Sequence, residues 1–331
     1  MARLLALQSS GWLDLPLDDL AAQANEWGYG ALELACAGEH FSPGRADSQP
    51  DYLPRLLETL EKNELRLTAL SVHGLGQVLG DELDARHAQL VPDYVWGDGE
   101  PAGVKSRAAA ELGSVFQAAQ KLGVTLIVGS MGSPLTRYLL QDPPAAPQLL
   151  REATQRWAET WRPLLEAAGR LGLRFALEAR PSQMAYDVIT AQHLLRAVEG
   201  AEELGFAFCP AHFQWQGVDP CEFLRAFPER IFQVTLADAA VTLSGRASIL
   251  GSHLPPGDGR RGWSPRTVGR GGVDWEAVVR TLNEIGSQAA WSVGVADPGM
   301  ERGYAAAEAV HFARRLDFPP AETALDDGPA L

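Results

Sequence analysis

The 331-residue chain has only three cysteines, Cys36, Cys209 and Cys221, and no two of them form a Cys-x-x-Cys pair. A chain of this length does not need disulfide staples, so a reducing compartment fits. No apolar run approaches the length needed to span a bilayer. The start, Met1-Ala2-Arg3-Leu4-Leu5-Ala6-Leu7-Gln8, turns polar too soon for a secretory h-region. A soluble, cytoplasmic protein with no membrane partner is the expectation. Also missing is any Lys/Arg stripe interleaved with aromatics. With a formal net charge of −14 and a pI near 5.0, the chain would repel a phosphate backbone, which argues against nucleic acid as a partner. Finally, Gln8-Ser9-Ser10-Gly11-Trp12 stands where a Gly-x-Gly-x-x-Gly would follow the first strand, which disfavours an open dinucleotide-binding sheet.

What is present is enough apolar content, 46%, for a substantial core. It is organised as a recurring unit: an amphipathic stretch, a Gly, then a short run rich in Val, Ile, Leu and Phe. The unit occurs at Gly28 before Ala31–Ala35, Gly123 before Val124–Val128, Gly172 before Leu173–Leu177, Gly205 before Phe206–Phe208, and Gly286 before Ala290–Val295. A Gly after a helix takes the left-handed conformation that caps it, and the run that follows suits a strand buried on both faces. Asn63 before Leu65–Val72 has the same capacity, and Leu4–Leu7 with Ile231–Thr235 completes eight candidate strands. Alternating helices and strands in that number predict a single (β/α)₈ TIM barrel over residues 1–316, with a Pro/Ala/Asp-rich, frayed tail over 317–331.

Functional groups of such a barrel come from the C-terminal strand ends and the loops after them. Two connections there are long, His73 to Gly103 and Ala239 to Gly272. The second carries His253 and Arg246, Arg260, Arg261, Arg266 and Arg270 among glycines. It fits either a cover over an anionic or polyhydroxy ligand or a solvated insertion. Trp12, Trp96, Trp215 and Trp263 are candidates to stack on a sugar ring or to anchor loops, and Gln214 and Gln216 to bond hydroxyls. His73 ends strand three, whereas His87, His193 and His311 fall on predicted helices.

The strand ends read in order as Ala176-Leu177-Glu178-Ala179-Arg180-Pro181, Phe208-Cys209-Pro210-Ala211-His212, Val234-Thr235-Leu236-Ala237-Asp238-Ala239, and Gly269-Arg270-Gly271-Gly272-Val273-Asp274-Trp275. In this order the segments resemble the sugar phosphate isomerase/epimerase family of xylose-isomerase-like barrels, from Leu4 to Leu316. The resemblance implies a divalent metal, Mn, Mg or Zn, held by a Glu ending strand five, an Asp-Pro-x-His segment after strand six, a His ending strand seven and a Glu ending strand eight. Carried over, these positions are Glu178, Cys209 with His212, Thr235 and Gly294, so a degenerate metal site is expected. Glu178, His212 and Cys209 are together a candidate zinc set; Cys209 equally reads as a small apolar filler.

The implied chemistry is proton abstraction next to a carbonyl, with Glu178, His212 and Arg180 as the catalytic candidates. Arg180 stands where the family has a His, and Asp297 would replace the missing strand-eight carboxylate if its loop folds back. Substrate contacts are expected from Trp12, His73, Trp215, Gln214, Asp238, His253 and Arg270. The partner expected is a small sugar or polyol, with a homo-oligomer or hetero-complex open. The alternative is a non-catalytic barrel serving as a sugar-binding module or as the partner subunit of an intact relative. An apurinic endonuclease on the same barrel would need more metal ligands and a basic face.

Overall fold

Helix Leu17–Trp27 ends at Gly28, whose φ of 97° closes the last turn, and the chain enters the second barrel strand three residues later. Gly123, Gly172 and Gly286 do the same at φ of 69°, 70° and 66°. The computed structural model describes residues 3–319. Its strands are β1 Leu5–Gln8, β2 Ala31–Ala35, β3 Arg66–Ser71, β4 Leu126–Gly129, β5 Arg174–Glu178, β6 Leu204–Phe208, β7 Ile231–Leu236, β8 Asp238–Val241, β9 Trp263–Arg266 and β10 Ala290–Val293. Eight of them close a parallel barrel in the order β1-β10-β7-β6-β5-β4-β3-β2, while β8 and β9 pair antiparallel as a separate ribbon. The chain is a single-domain (β/α)₈ TIM barrel.

Two glycine and asparagine assignments differ from the sequence reading. Gly205 lies inside β6, and the left-handed residues before that strand are Glu199 and Gly200. A Cβ on Gly205 would sit 2.4 Å from the Phe232 ring, so this glycine admits a neighbour rather than capping a helix. Asn63 keeps a φ of −100°, and Glu64 takes the left-handed turn at φ 55°.

Small residues leave room at the barrel interior: Ala69, Ala176 and Ala207 meet Leu126, Val128 and Phe232. One polar hub sits inside it. Glu33 Oε2 accepts hydrogen bonds from Ser292 Oγ at 2.7 Å and Gln233 Nε2 at 2.8 Å. Burial pushes the Glu33 carboxyl up, offset in part by those hydrogen bonds and by His73. Outside the barrel, helix Pro147–Arg170 buries Trp157, Trp161, Leu165 and Ala168 at helical spacing, and Trp161 meets Phe175 of β5 edge-on with centroids 5.3 Å apart.

The same helix fixes the mouth, since Trp157 and Trp161 both donate Nε1–H to the Met131 carbonyl, each at 2.9 Å, just after β4. Facing it, helix His73–Gly80 starts at the exit of β3. A Cβ on Gly74, Gly76 or Gly80 would lie 1.8 Å from the carbonyl oxygen of Leu90, Ser130 or Met131, so backbone meets backbone there and nothing larger than glycine fits. Of the expected tail, Asp317 pairs with Arg3 and the Phe318 carbonyl accepts from Asn283 Nδ2 at 2.9 Å; residues 320–331 lie outside the described residues. No helix among the described residues is long and apolar enough to cross a membrane.

Candidate functional site

The last residue of β5, Glu178, turns its carboxylate into the mouth. Its Oε1 accepts from His212 Nε2 at 3.1 Å and is ion-paired with Arg180 Nε at 3.2 Å. His212 sits in helix Pro210–Gln214, which begins directly after Cys209, so strand β6 delivers Cys209 and His212 together. Arg180 spreads its other nitrogens to Ser130 Oγ at 3.2 Å and Ser182 Oγ at 3.1 Å. Ser182 is held at φ 80°, a costly conformation for a serine, and it faces the guanidinium. His73 Nδ1 lies 3.4 Å from Ser130 Oγ and completes the group.

Electrostatics within this group are strongly coupled. Burial alone would raise the Glu178 carboxyl, but the hydrogen bond and charge of His212, with His73 and Arg180, hold it well below the usual carboxylate range. Burial opposes charging His212, yet the Cys209 sulfur and Glu178 outweigh it and push the imidazole up to about 10. At neutral pH the mouth therefore carries one carboxylate between an imidazolium and a guanidinium. Among the described residues, no three His, Cys, Asp or Glu side chains form a group that could hold a metal ion, Glu178, His212 and Cys209 included.

A loop network stiffens the wall beside this group. Gln183 Oε1 accepts from the Met131 and Gly132 amides at 2.8 Å each, and its Nε2 donates to Gln77 Oε1 at 2.7 Å. Gln77 in turn donates to Asp81, which also accepts from Ser133 N and from buried His87. Two cavities open on this side, of about 520 Å³ and about 590 Å³, and both are lined by His73, Gly74, Gln89 and Leu90. The first also takes in Arg180, Ser130 and Ser182.

Several residues expected to touch substrate are placed elsewhere, each for a visible reason. Trp12 is in the core, its ring 4.9 Å from Trp27 and under the Arg302 guanidinium. Trp215 is stacked on Trp263 at 4.5 Å and nearly parallel, which occupies one of its faces. Gln214 rests against Gly272, its Oε1 buried without a partner. Asp238 is saturated: it accepts from the Ala239, Val273 and Gly269 amides and from Trp275 Nε1, tying the β8–β9 ribbon to the segment after it. Arg270 is paired with Glu308 on the final helix, and His253 is exposed in the ribbon's loop. Asp297 binds Thr267 N and Gly299 N rather than folding back over the barrel. Of the substrate candidates, only His73 joins Glu178, Arg180 and His212.

Ser130, Ser182 and the Asp81–Gln77–Gln183 chain were not singled out from sequence. Ser130 directly follows β4, so the strand-end rule points to it; the others are ordinary polar residues in loops and carry no local signal.

The sequence profile of the xylose isomerase-like TIM barrel matches residues 21–316. No curated protein matches the chain by sequence. Among solved structures, 3-keto-D-glucoside 4-epimerase from E. coli superposes with a TM-score of 0.65 at 13% identity, over 95% of this chain and 99% of that one. D-psicose 3-epimerase in the presence of D-fructose gives a TM-score of 0.62 at 14% identity, over 96% and 99%. The IOLI protein, which holds a zinc atom, gives 0.61 at 17% identity, over 96% of each chain. The chain belongs to the family of xylose isomerase-like TIM barrels.

Proposed function

We propose that the chain acts on a small carbonyl-bearing sugar or polyol at the mouth formed by Glu178, Arg180, His212 and His73, with fixed organic cations where relatives hold a metal ion. The observation that carries this reading is that Glu178 Oε1 is held by two cationic side chains, hydrogen-bonded to His212 and ion-paired with Arg180. The donor set does not fit Mg²⁺ or Mn²⁺, which want several free oxygen or imidazole ligands. Here the one retained carboxylate is engaged by two cationic donors, Arg180 would repel an incoming cation, and Thr235 and Gly294 offer no carboxylate or imidazole. Zinc on Glu178, His212 and Cys209 meets the same obstacle, because the imidazole nitrogen Nε2 is turned to the carboxylate.

The chain's own residues supply the rest. Arg180 and His212 are donors suited to the oxyanion that develops when a proton leaves the carbon beside a carbonyl. Glu178 is the carboxylate they contact and the candidate to receive that proton, and its lowered pKa makes it a weak base. That weakness favours a second reading, a barrel that binds sugar without turnover.

Metal analysis of purified protein, followed by assays of ketose binding and of solvent deuterium exchange next to the carbonyl, separates these. The expected result is no stoichiometric metal, with exchange that disappears in Glu178→Gln. Activity that requires a stoichiometric metal would overturn the fixed-cation reading. Binding without exchange would leave the non-catalytic one, and failure of every sugar to bind would end both.

A further inference from the structure

Inverting the carbon beside a carbonyl by proton transfer needs a proton acceptor on one face and a proton donor on the other. Glu178 supplies one such group. Its Oε1 is engaged by His212 and Arg180, while its Oε2 has no partner among the described residues. The last barrel strand supplies no second group, since Gly294 stands at its end and Asp297 is held by the Thr267 and Gly299 amides. His73 is the other titratable side chain in reach of the same donors. Arg180 Nη2 donates to Ser130 Oγ at 3.2 Å, and His73 Nδ1 lies 3.4 Å from that same oxygen. The guanidinium therefore has the Glu178 carboxylate at its Nε and, beyond Ser130, the His73 imidazole on the side of its Nη2. His73 Nε2 has no partner among the described residues, and the half-buried ring lines the cavity that also takes in Arg180, Ser130 and Ser182. Its backbone is fixed on both sides: Val72 N donates to the Val128 carbonyl at 2.8 Å, and Gly74 is pressed against the Leu90 carbonyl. Charge on His73 helps hold Glu178 ionised although no ion pair joins them, which places the two across a gap rather than in contact.

We propose that His73 is the second acid–base residue of this mouth, working against Glu178 across a carbonyl oxygen seated on Arg180 and Ser130. The proposal rests on the sugar reading above and deepens it: the reaction is inversion of the hydroxyl-bearing carbon next to that carbonyl. Glu178 Oε2 takes the proton from the carbon, the C–H electron pair becomes the C=C bond of an enediolate, and the carbonyl oxygen takes up the charge beside Arg180. His73, entering protonated, returns a proton from Nε2 to the opposite face, and the C=C pair forms the new C–H bond. Solvent then removes the proton from Glu178 and restores the one on His73. In the reverse direction the two exchange roles. A lone Glu178 would return a proton to the face it came from and leave the configuration unchanged.

The test uses the full chain in deuterium oxide with ketohexose pairs that differ only at the carbon beside the carbonyl, D-fructose with D-psicose and D-tagatose with D-sorbose. The wild type is expected to interconvert at least one pair and to incorporate solvent deuterium as it does so. His73→Gln should slow interconversion about a hundred-fold or more, while sugar affinity measured by calorimetry stays within about three-fold. Exchange into the one epimer that Glu178 deprotonates should persist in that variant. Added imidazole should restore interconversion in His73→Ala, a rescue that a purely structural histidine would not give. Interconversion that survives His73→Gln, exchange that vanishes together with it, or absence of rescue overturns the role of His73 and leaves the sugar site standing. Wild-type exchange without inversion does the same. Absence of wild-type exchange with every sugar overturns turnover at this site as well.

Discussion

The two sides of the barrel mouth use similar residues to opposite ends. On the side of β2 to β5, Arg180, His73 and the serines around them face two cavities, and their hydrogen-bonding capacity is partly open to a ligand. On the side of β6 to β10, Asp238, Arg270, Trp215 and Trp263 are spent on one another and on the ribbon's backbone. A loop rich in Arg, Trp and Gly is thus no stronger sign of a binding site than a plain Ser after a strand. What distinguishes the two is whether the protein itself already fills the donors and acceptors.

The largest effect expected from breaking this contrast is on the open side. Glu178→Ala leaves Arg180 and His212 as neighbouring, uncompensated cations and should cost about 3–5 kcal/mol, read by urea unfolding. An unchanged denaturation midpoint would mean the pair is not formed in solution. On the closed side, Asp238→Ala removes the acceptor of three amides and an indole and should cost about 3 kcal/mol. Sugar affinity should stay within about two-fold, because the ribbon shares no partner with the cavities. If affinity collapses with Asp238→Ala, the two sides are coupled and the contrast fails.

A subtler effect is on pH. His212 is held protonated up to about 10 against an ordinary 6.5, so its contribution to stability is full below 6.5 and is lost as the pH rises through about 10. Glu178 lies below its ordinary 4.5, so its contribution is full above 4.5 and is lost as the pH falls further. The pair should stabilise most between those ordinary values, and thermal melts across pH 4 to 10 of the wild type and His212→Gln should differ mainly in the alkaline limb. Parallel melting curves for the two proteins would refute the pairing. The smallest effect belongs to Arg270→Ala, whose solvent-screened ion pair with Glu308 should leave both the denaturation midpoint and sugar binding unchanged.

Most of the fold is legible in the sequence because capping glycines and short apolar runs are local signals: Ala31–Ala35 is both the expected and the observed β2. Gly205 misleads because Leu-Gly reads the same whether the glycine ends a helix or makes room for Phe232 inside a strand. In the candidate site, Glu178, Arg180, His212 and His73 are readable since they stand at or just past strand ends. Asp238 and Arg270 are not, because their partners Gly269, Trp275 and Glu308 lie about thirty or more residues away, and only folding reveals that they are already satisfied.

The glycine face of helix His73–Gly80 also gives a way to find other chains built like this one. Since Leu90, Ser130 and Met131 place a carbonyl oxygen where a methyl group would be, His-Gly-x-Gly-x-x-x-Gly after a third strand works as a written signature for this wall. A sequence that pairs the signature with Glu-x-Arg at the end of its fifth strand should have the same divided mouth and the same internal cation. One that keeps the arginine but carries alanines in the helix should not, because three methyl groups would push the loops apart and merge the two chambers into one.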